Sequence, residues 1–130
     1  MGYQIEWDNE EKTVVFQQYT GTATKDDLYG LAEESAQMLK SVPHRVHLII
    51  NEHNIKMNLN SIDMKYLEKL VPANQGGVVI VVDKNSLRYK KYMHDAGVKL
   101  APKTFAQPFF AADVENARQL LQSQFEVRYP

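Results

Sequence analysis

The chain predicts an α/β fold, a single domain in the order ββαβαβαβα around one mixed sheet. Three observations carry that expectation. Residues 46–50 and 78–82 are apolar runs without alternation, the pattern of strands covered on both faces. Segments with helical spacing alternate with these runs, most of them opened by a capping residue. The chain begins with two alternating stretches split by a short polar segment, which reads as a hairpin. Right-handed crossovers then put helices on the faces of a sheet that is parallel inside and antiparallel at its start. A length of 130 residues suits one domain.

Residues 3–8 and 13–19 are the hairpin strands. Tyr3, Ile5 and Trp7 alternate with polar residues, and Val14, Phe16 and Gln18 oppose Val15 and Gln17. The segment Asp8-Asn9-Glu10-Glu11-Lys12 is short enough to make the pair antiparallel. Thr24 is the expected N-cap of the first helix, with Asp27 as an acidic capping-box partner. Leu28, Leu31, Ala32, Ser35, Met38, Leu39 and Val42 follow at helical spacing, and Pro43 closes the element.

After the strand at 46–50, residues 51–60 read as a loop. Asn60 or Ser61 caps the second helix, and Asp63 lies in its first turn. Its apolar stripe is Ile62, Tyr66, Leu67, Leu70 and Val71. Pro72 and the pair Gly76-Gly77 end it, the glycines making a turn. Asp83, Asn85 or Ser86 caps the third helix, where Leu87, Met93 and Ala96 face inward and Gly97 is the left-handed residue past the end. Residues 104–111 are the last strand, and Pro108 inside it makes it an edge or a bulged strand. Asp113 caps a final helix carrying Val114, Ala117, Leu120, Leu121 and Phe125, and residues 126–130 are a tail.

Composition excludes several classes. There is no cysteine, so disulfides, thiolate nucleophiles and cysteine-based zinc sites are out. A formal net charge of -1 argues against a nucleic-acid binder. The N-terminus lacks the basic and apolar regions of a signal peptide, so a cytoplasmic protein is expected. Charge is unevenly placed: residues 1–35 carry a net of -6 and residues 84–103 a net of +5. Such asymmetry can steer an acidic partner or an anionic surface, or it is one helix's solvated face.

Three phrases resemble the STAS-like fold family, in particular bacterial proteins similar to the sporulation anti-sigma-factor antagonist. Y-T-G-T-A-T-K-D-D-L (19–28) looks like the family's strand–Gly–helix opening. V-H-L-I-I-N (46–51) looks like its central strand, with Asn51 where an Asp is common. F-F-A-A-D-V-E-N-A-R-Q-L-L (109–121) looks like its last strand and helix. The resemblance implies a small cytoplasmic regulatory module rather than an enzyme, working without a cofactor. In phosphorylatable members a Ser at the start of the helix after the central strand accepts a phosphoryl group, and the matching position is Ser61. The family's phrase is Asp-Ser followed by small residues and Gly. Here it is Asn60-Ser61-Ile62-Asp63.

The candidate surface is therefore the segment after the central strand: Glu52, His53, Ile55, Met57, Leu59, Asn60, Ser61 and Asp63. Ser61 is an N-cap or a phosphosite, since a phosphate there would meet the positive helix end. Ile55, Met57 and Leu59 either tuck under the loop or face a partner or lipid-like ligand. Glu52 and His53 could act as a general base, but no nucleophile motif accompanies them. His47, His53 and Asp63 could meet at a metal only if the loop folded back, so no metal is expected. His47 reads as a strand residue with a satisfied ring. Lys84, Arg88, Lys90 and Lys91, interleaved with Tyr89 and Tyr92, form a basic patch, expected as a solvated face with the tyrosines packed along it. The leading expectation is a non-enzymatic regulatory or protein-interaction module, with homo-oligomerisation open. The alternative is a binder of a small apolar or amphipathic ligand, or of an anionic membrane surface, in a groove between the loop and the helices.

Overall fold

The computed structural model describes residues 2–20, 23–52, 60–99, 101–103 and 108–129. Its elements are β1 (Tyr3–Trp7), β2 (Val14–Tyr19), α1 (Lys25–Lys40), β3 (Val46–Asn51), α2 (Ser61–Leu70), β4 (Gln75–Val81), α3 (Lys84–Gly97), β5 (Pro108–Ala111) and α4 (Val114–Phe125). The α/β class and the ββαβαβαβα order are as expected. No described helix is long and apolar enough to cross a membrane.

The five strands lie in sequence order across one sheet, with β1 antiparallel to β2 and the remaining pairs parallel. Three successive crossovers thus step in one direction. Because each is right-handed, they set α1, α2 and α3 on the same face. The chain crosses to the other face only after β5, at α4. Residues of β2, β3 and β4 alternate between two cores. Val14, Ile49, Val79 and Val81 pack with Ala117 and Leu121 of α4. Val15, Leu48, Val78 and Ile80 pack with Leu39 of α1. Burial on both faces is why β3 and β4 show no alternation in sequence.

The helix starts are set locally. Thr24 Oγ1 accepts from the Asp27 amide at 3.1 Å, and the Asp27 carboxylate accepts from the Thr24 amide at 3.1 Å, the predicted capping box. Asp113 caps α4 by accepting from the Asn116 amide at 2.8 Å. Asp83 does the same for the Ser86 amide at 3.1 Å. Pro108 opens β5, the edge strand, where its missing N–H costs no ladder bond. The expected strand residues 104–107 lie outside the described residues.

Four expectations are corrected. Gly76 and Gly77 make no turn but lie within β4. Val46 pairs with Gln75 and Leu48 with Val78, so β4 bulges by one residue there. A Cβ on Gly76 would stand 2.3 Å from His47 Nδ1, and one on Gly77 2.5 Å from Phe125 Cζ. The glycines let the strand approach those rings. Second, Gly97 belongs to α3 and is buried, while Ala96 is exposed. Third, residues 126–129 are not a loose tail. Glu126 takes the left-handed conformation at φ 58°, and Val127 turns back into the α4 core at 7% exposure. Tyr129 then donates to Asp8 at 2.6 Å, and Arg118 grips the same carboxylate with two bonds at 2.8 and 3.1 Å. Fourth, Ile62 does not join the stripe of α2 but stands 73% exposed, and Met64 is buried instead.

Candidate functional site

The sequence pointed to residues 52–63. Glu52 follows β3 directly, its amide bonded to the Val81 carbonyl at 2.9 Å. Its carboxylate pairs with Lys90 at 2.5 Å, and both side chains are largely buried. Lys90 therefore leaves the expected basic patch, and only Lys84, Arg88 and Lys91 of that group are exposed. Tyr92 is 68% exposed, so it does not pack along the helix as expected. His53, Ile55, Met57 and Leu59 lie outside the described residues.

Asn60, not Ser61, caps α2. Its Oδ1 accepts from the Asp63 amide at 2.8 Å, and Asp63 accepts from the Asn60 amide at 3.0 Å. The Asn side chain reaches the third amide, so Ser61 becomes the first helical residue with its side chain exposed. Asp63 is buried at 3% exposure and takes part in more than the cap. Lys25 Nζ lies 2.8 Å from it, and the Tyr29 hydroxyl donates to it. Lys25 first, then Tyr29 and the Asn60 amide, hold the Asp63 carboxyl down at about 2. Next to it Tyr66 donates to Glu33, and the Tyr29 and Tyr66 rings stack at 4.6 Å. Polar and aromatic contacts thus join α1 to α2.

Beneath this joint lies a pocket enclosing about 150 Å³. Leu28, Leu31 and Ala32 of α1 form one wall, and Leu67 and Leu70 of α2 the other. The floor is the sheet, through Tyr19, Leu48, Ile50 and Ile80, and Glu52 stands at one end. Most of the lining is apolar, as in small-molecule sites generally. Two polar wall residues are bonded to each other: Gln17 Nε2 donates to Ser35 Oγ at 2.9 Å. Tyr19 differs. It is 9% exposed, and among the described residues nothing hydrogen-bonds to its hydroxyl. Burial first, then Glu52 and Asp27, raise its pKa well above the usual phenol value, so it remains a donor.

Sequence reasoning placed Leu28, Leu31, Ala32 and Ser35 at helical spacing on α1 and did not single them out as lining a pocket. It did not single out Tyr19, Tyr29 or Lys25. The one available signal was the pair of polar residues, Gln17 and Ser35, at inward positions. On the opposite face, His47 is a buried strand residue as expected. Its Nδ1 accepts from the Gly77 amide at 2.9 Å, and its ring lies 4.4 Å from that of Phe125. Burial and then Arg45 lower its pKa. His44 is on the far side of the hairpin loop, at 2.8 Å from the Lys12 carbonyl. Among the described residues no group of three or more His, Asp or Glu could hold a metal ion.

Comparison with known proteins returns nothing: no family model, no curated protein and no solved structure matches the chain.

Proposed function

We propose that this chain is a non-enzymatic binding domain that takes a small, mainly apolar molecule between α1, α2 and the sheet. The observation that carries the reading is the pocket itself, apolar on three sides, with the buried Tyr19 hydroxyl and Glu52 at its polar end. Its size matches apolar cavities that bind a single benzene ring. The STAS-like resemblance of residues 19–28, 46–51 and 109–121 supports a regulatory module in a bacterial cytoplasm, with ligand occupancy as the signal. Titration of the ¹⁵N-labelled chain with toluene tests the reading. Saturable shifts at Leu31, Leu48 and Leu67 amides are expected, and Ala32→Phe, which fills the pocket, should abolish them. Shifts that persist in a folded Ala32→Phe variant would place binding elsewhere and end the reading.

A second reading, a protein-interaction module, draws on the start of α2. Ser61 and Ile62 are both exposed there, and Ile62 at 73% is the most exposed large apolar side chain described. Comparing partners captured by wild type and by Ile62→Asp tests it. Identical profiles would remove the surface.

A further inference from the structure

Resting on the pocket reading, we infer that its ligand is a neutral, benzene-sized molecule with one oxygen that accepts the Tyr19 hydrogen bond, and that carboxylates of that size are excluded. Three observations support this. The first is volume: the half-open pocket has about 150 Å³ at hand, room to seat one ring.

The second is Tyr19. Tyr19 as a residue is nine-tenths buried, and among the described residues nothing replaces the bonds its hydroxyl would make to water. Gln17 and Ser35, elsewhere in the wall, are tied to each other by one hydrogen bond from Gln17 Nε2 to Ser35 Oγ. Tyr19 itself lines the pocket on its sheet floor, so its donor is the one a ligand oxygen there would take.

The third is charge. Glu52 is the one charged residue among the described lining residues, and none of those residues is Lys, Arg or His. The cation nearest to Glu52, Lys90, is already engaged by its carboxylate. Tyr19 also lies in the negative field of Asp27 and Glu52. An anion entering here would lose hydration and meet, among the described lining residues, only a carboxylate already paired with Lys90 and no cation of its own to bind. A neutral alcohol or phenol meets none of these penalties. Its hydroxyl can also donate toward the Glu52 end.

The test titrates the full chain at pH 7 with phenol, toluene and benzoate, followed by amide shifts. Phenol should bind about fivefold more tightly than toluene, the margin of one neutral hydrogen bond. Benzoate should bind at least about tenfold more weakly than phenol. Tyr19→Phe should retain toluene binding and lose the phenol margin. Glu52→Gln should narrow the gap between benzoate and phenol. The inference is overturned if phenol and toluene bind equally, if benzoate matches phenol, or if either variant leaves its ratio unchanged. In each of those cases toluene still binds and the pocket reading stands. If none of the three probes binds, both the inference and the pocket reading fall.

Discussion

Leu121 and Leu31 are both leucines on helices laid against one sheet, at 0% and 2% exposure, yet they border different interiors. Around Leu121, on the α4 face, Val14, Ile49, Val79 and Ala117 close in, and the Phe109 and Phe125 rings meet edge to face at 5.6 Å. The returning segment adds Val127 and Tyr129. Leu31, on the other face, borders the pocket. What separates the two is how each face is covered. One helix and a tail, anchored by Arg118 and Tyr129 on Asp8, settle onto the first face through side chains that touch directly. On the other face α1 and α2 are joined through Lys25, Tyr29 and Asp63 and through Tyr66 and Glu33. Those polar contacts join the two helices above apolar side chains that border a pocket. Close-packed contact fills one face, and the polar joint spans a pocket on the other.

The sharpest way to break that comparison is to remove matched side chains. Leu121→Ala should cost about 3–5 kcal/mol in urea unfolding, since a cavity opens in a filled core. Leu31→Ala, at matched burial but on a wall that already borders open space, should cost about 2 kcal/mol. Equal costs would mean the two faces do not differ. Next in size, Gly77→Ala forces a Cβ against the Phe125 ring and should cost about 1–3 kcal/mol. Phe125→Leu in the same chain should return part of that loss, and strict additivity of the two would argue against the contact. On the pocket face the sign reverses. Ala32→Phe should raise stability by about 0.5–2 kcal/mol, read as a higher urea midpoint, because it fills space rather than overpacking it.

The smallest effect concerns pH. Burial lowers the His47 pKa below its ordinary value of 6.5, so the folded protein binds fewer protons there than the unfolded chain. Its contribution is complete above pH 6.5 and is lost as pH falls toward the lowered value, because a protonated Nδ1 cannot accept the Gly77 amide. Urea midpoints should therefore drop between pH 7 and pH 5. His47→Gln, which keeps an acceptor and cannot titrate, should flatten that part of the profile. An unchanged slope would assign the loss to other groups. The Asp63 contribution enters lower, between the ordinary carboxylate range and about 2, and is separate from it.

Much of the frame was legible in the sequence because its signals are short-ranged. Thr24 with Asp27, and Asp113 with Asn116, declare helix starts within three residues. Residues 46–50 and 78–82 declare strands by lacking an outside face. Where two local signals competed, the sequence could not decide. Asn60 and Ser61 both suit a cap, and the choice fell to Asn60, whose longer amide side chain bonds the Asp63 amide. Gly76-Gly77 reads as a turn from the residue types alone. Only the rings of His47 and Phe125, packed from distant positions, make them strand residues. Ile62 fits a helical period, but the side of α2 that meets α1 was set by Asp63 and Tyr66 instead.

By itself, then, the sequence determined the α/β class, the order of nine elements and most helix caps, since periodicity and capping act over a few residues. Tertiary structure alone decided that three helices share one face, that residues 127–129 return to the core, and that α1 and α2 leave a pocket. The physical reason is distance along the chain. Arg118 meets Asp8 across 110 positions and Tyr29 meets Asp63 across 34, and contacts so remote leave no period to read. The pocket is the extreme case: it is a space between side chains, each of which has the sequence signature of ordinary core.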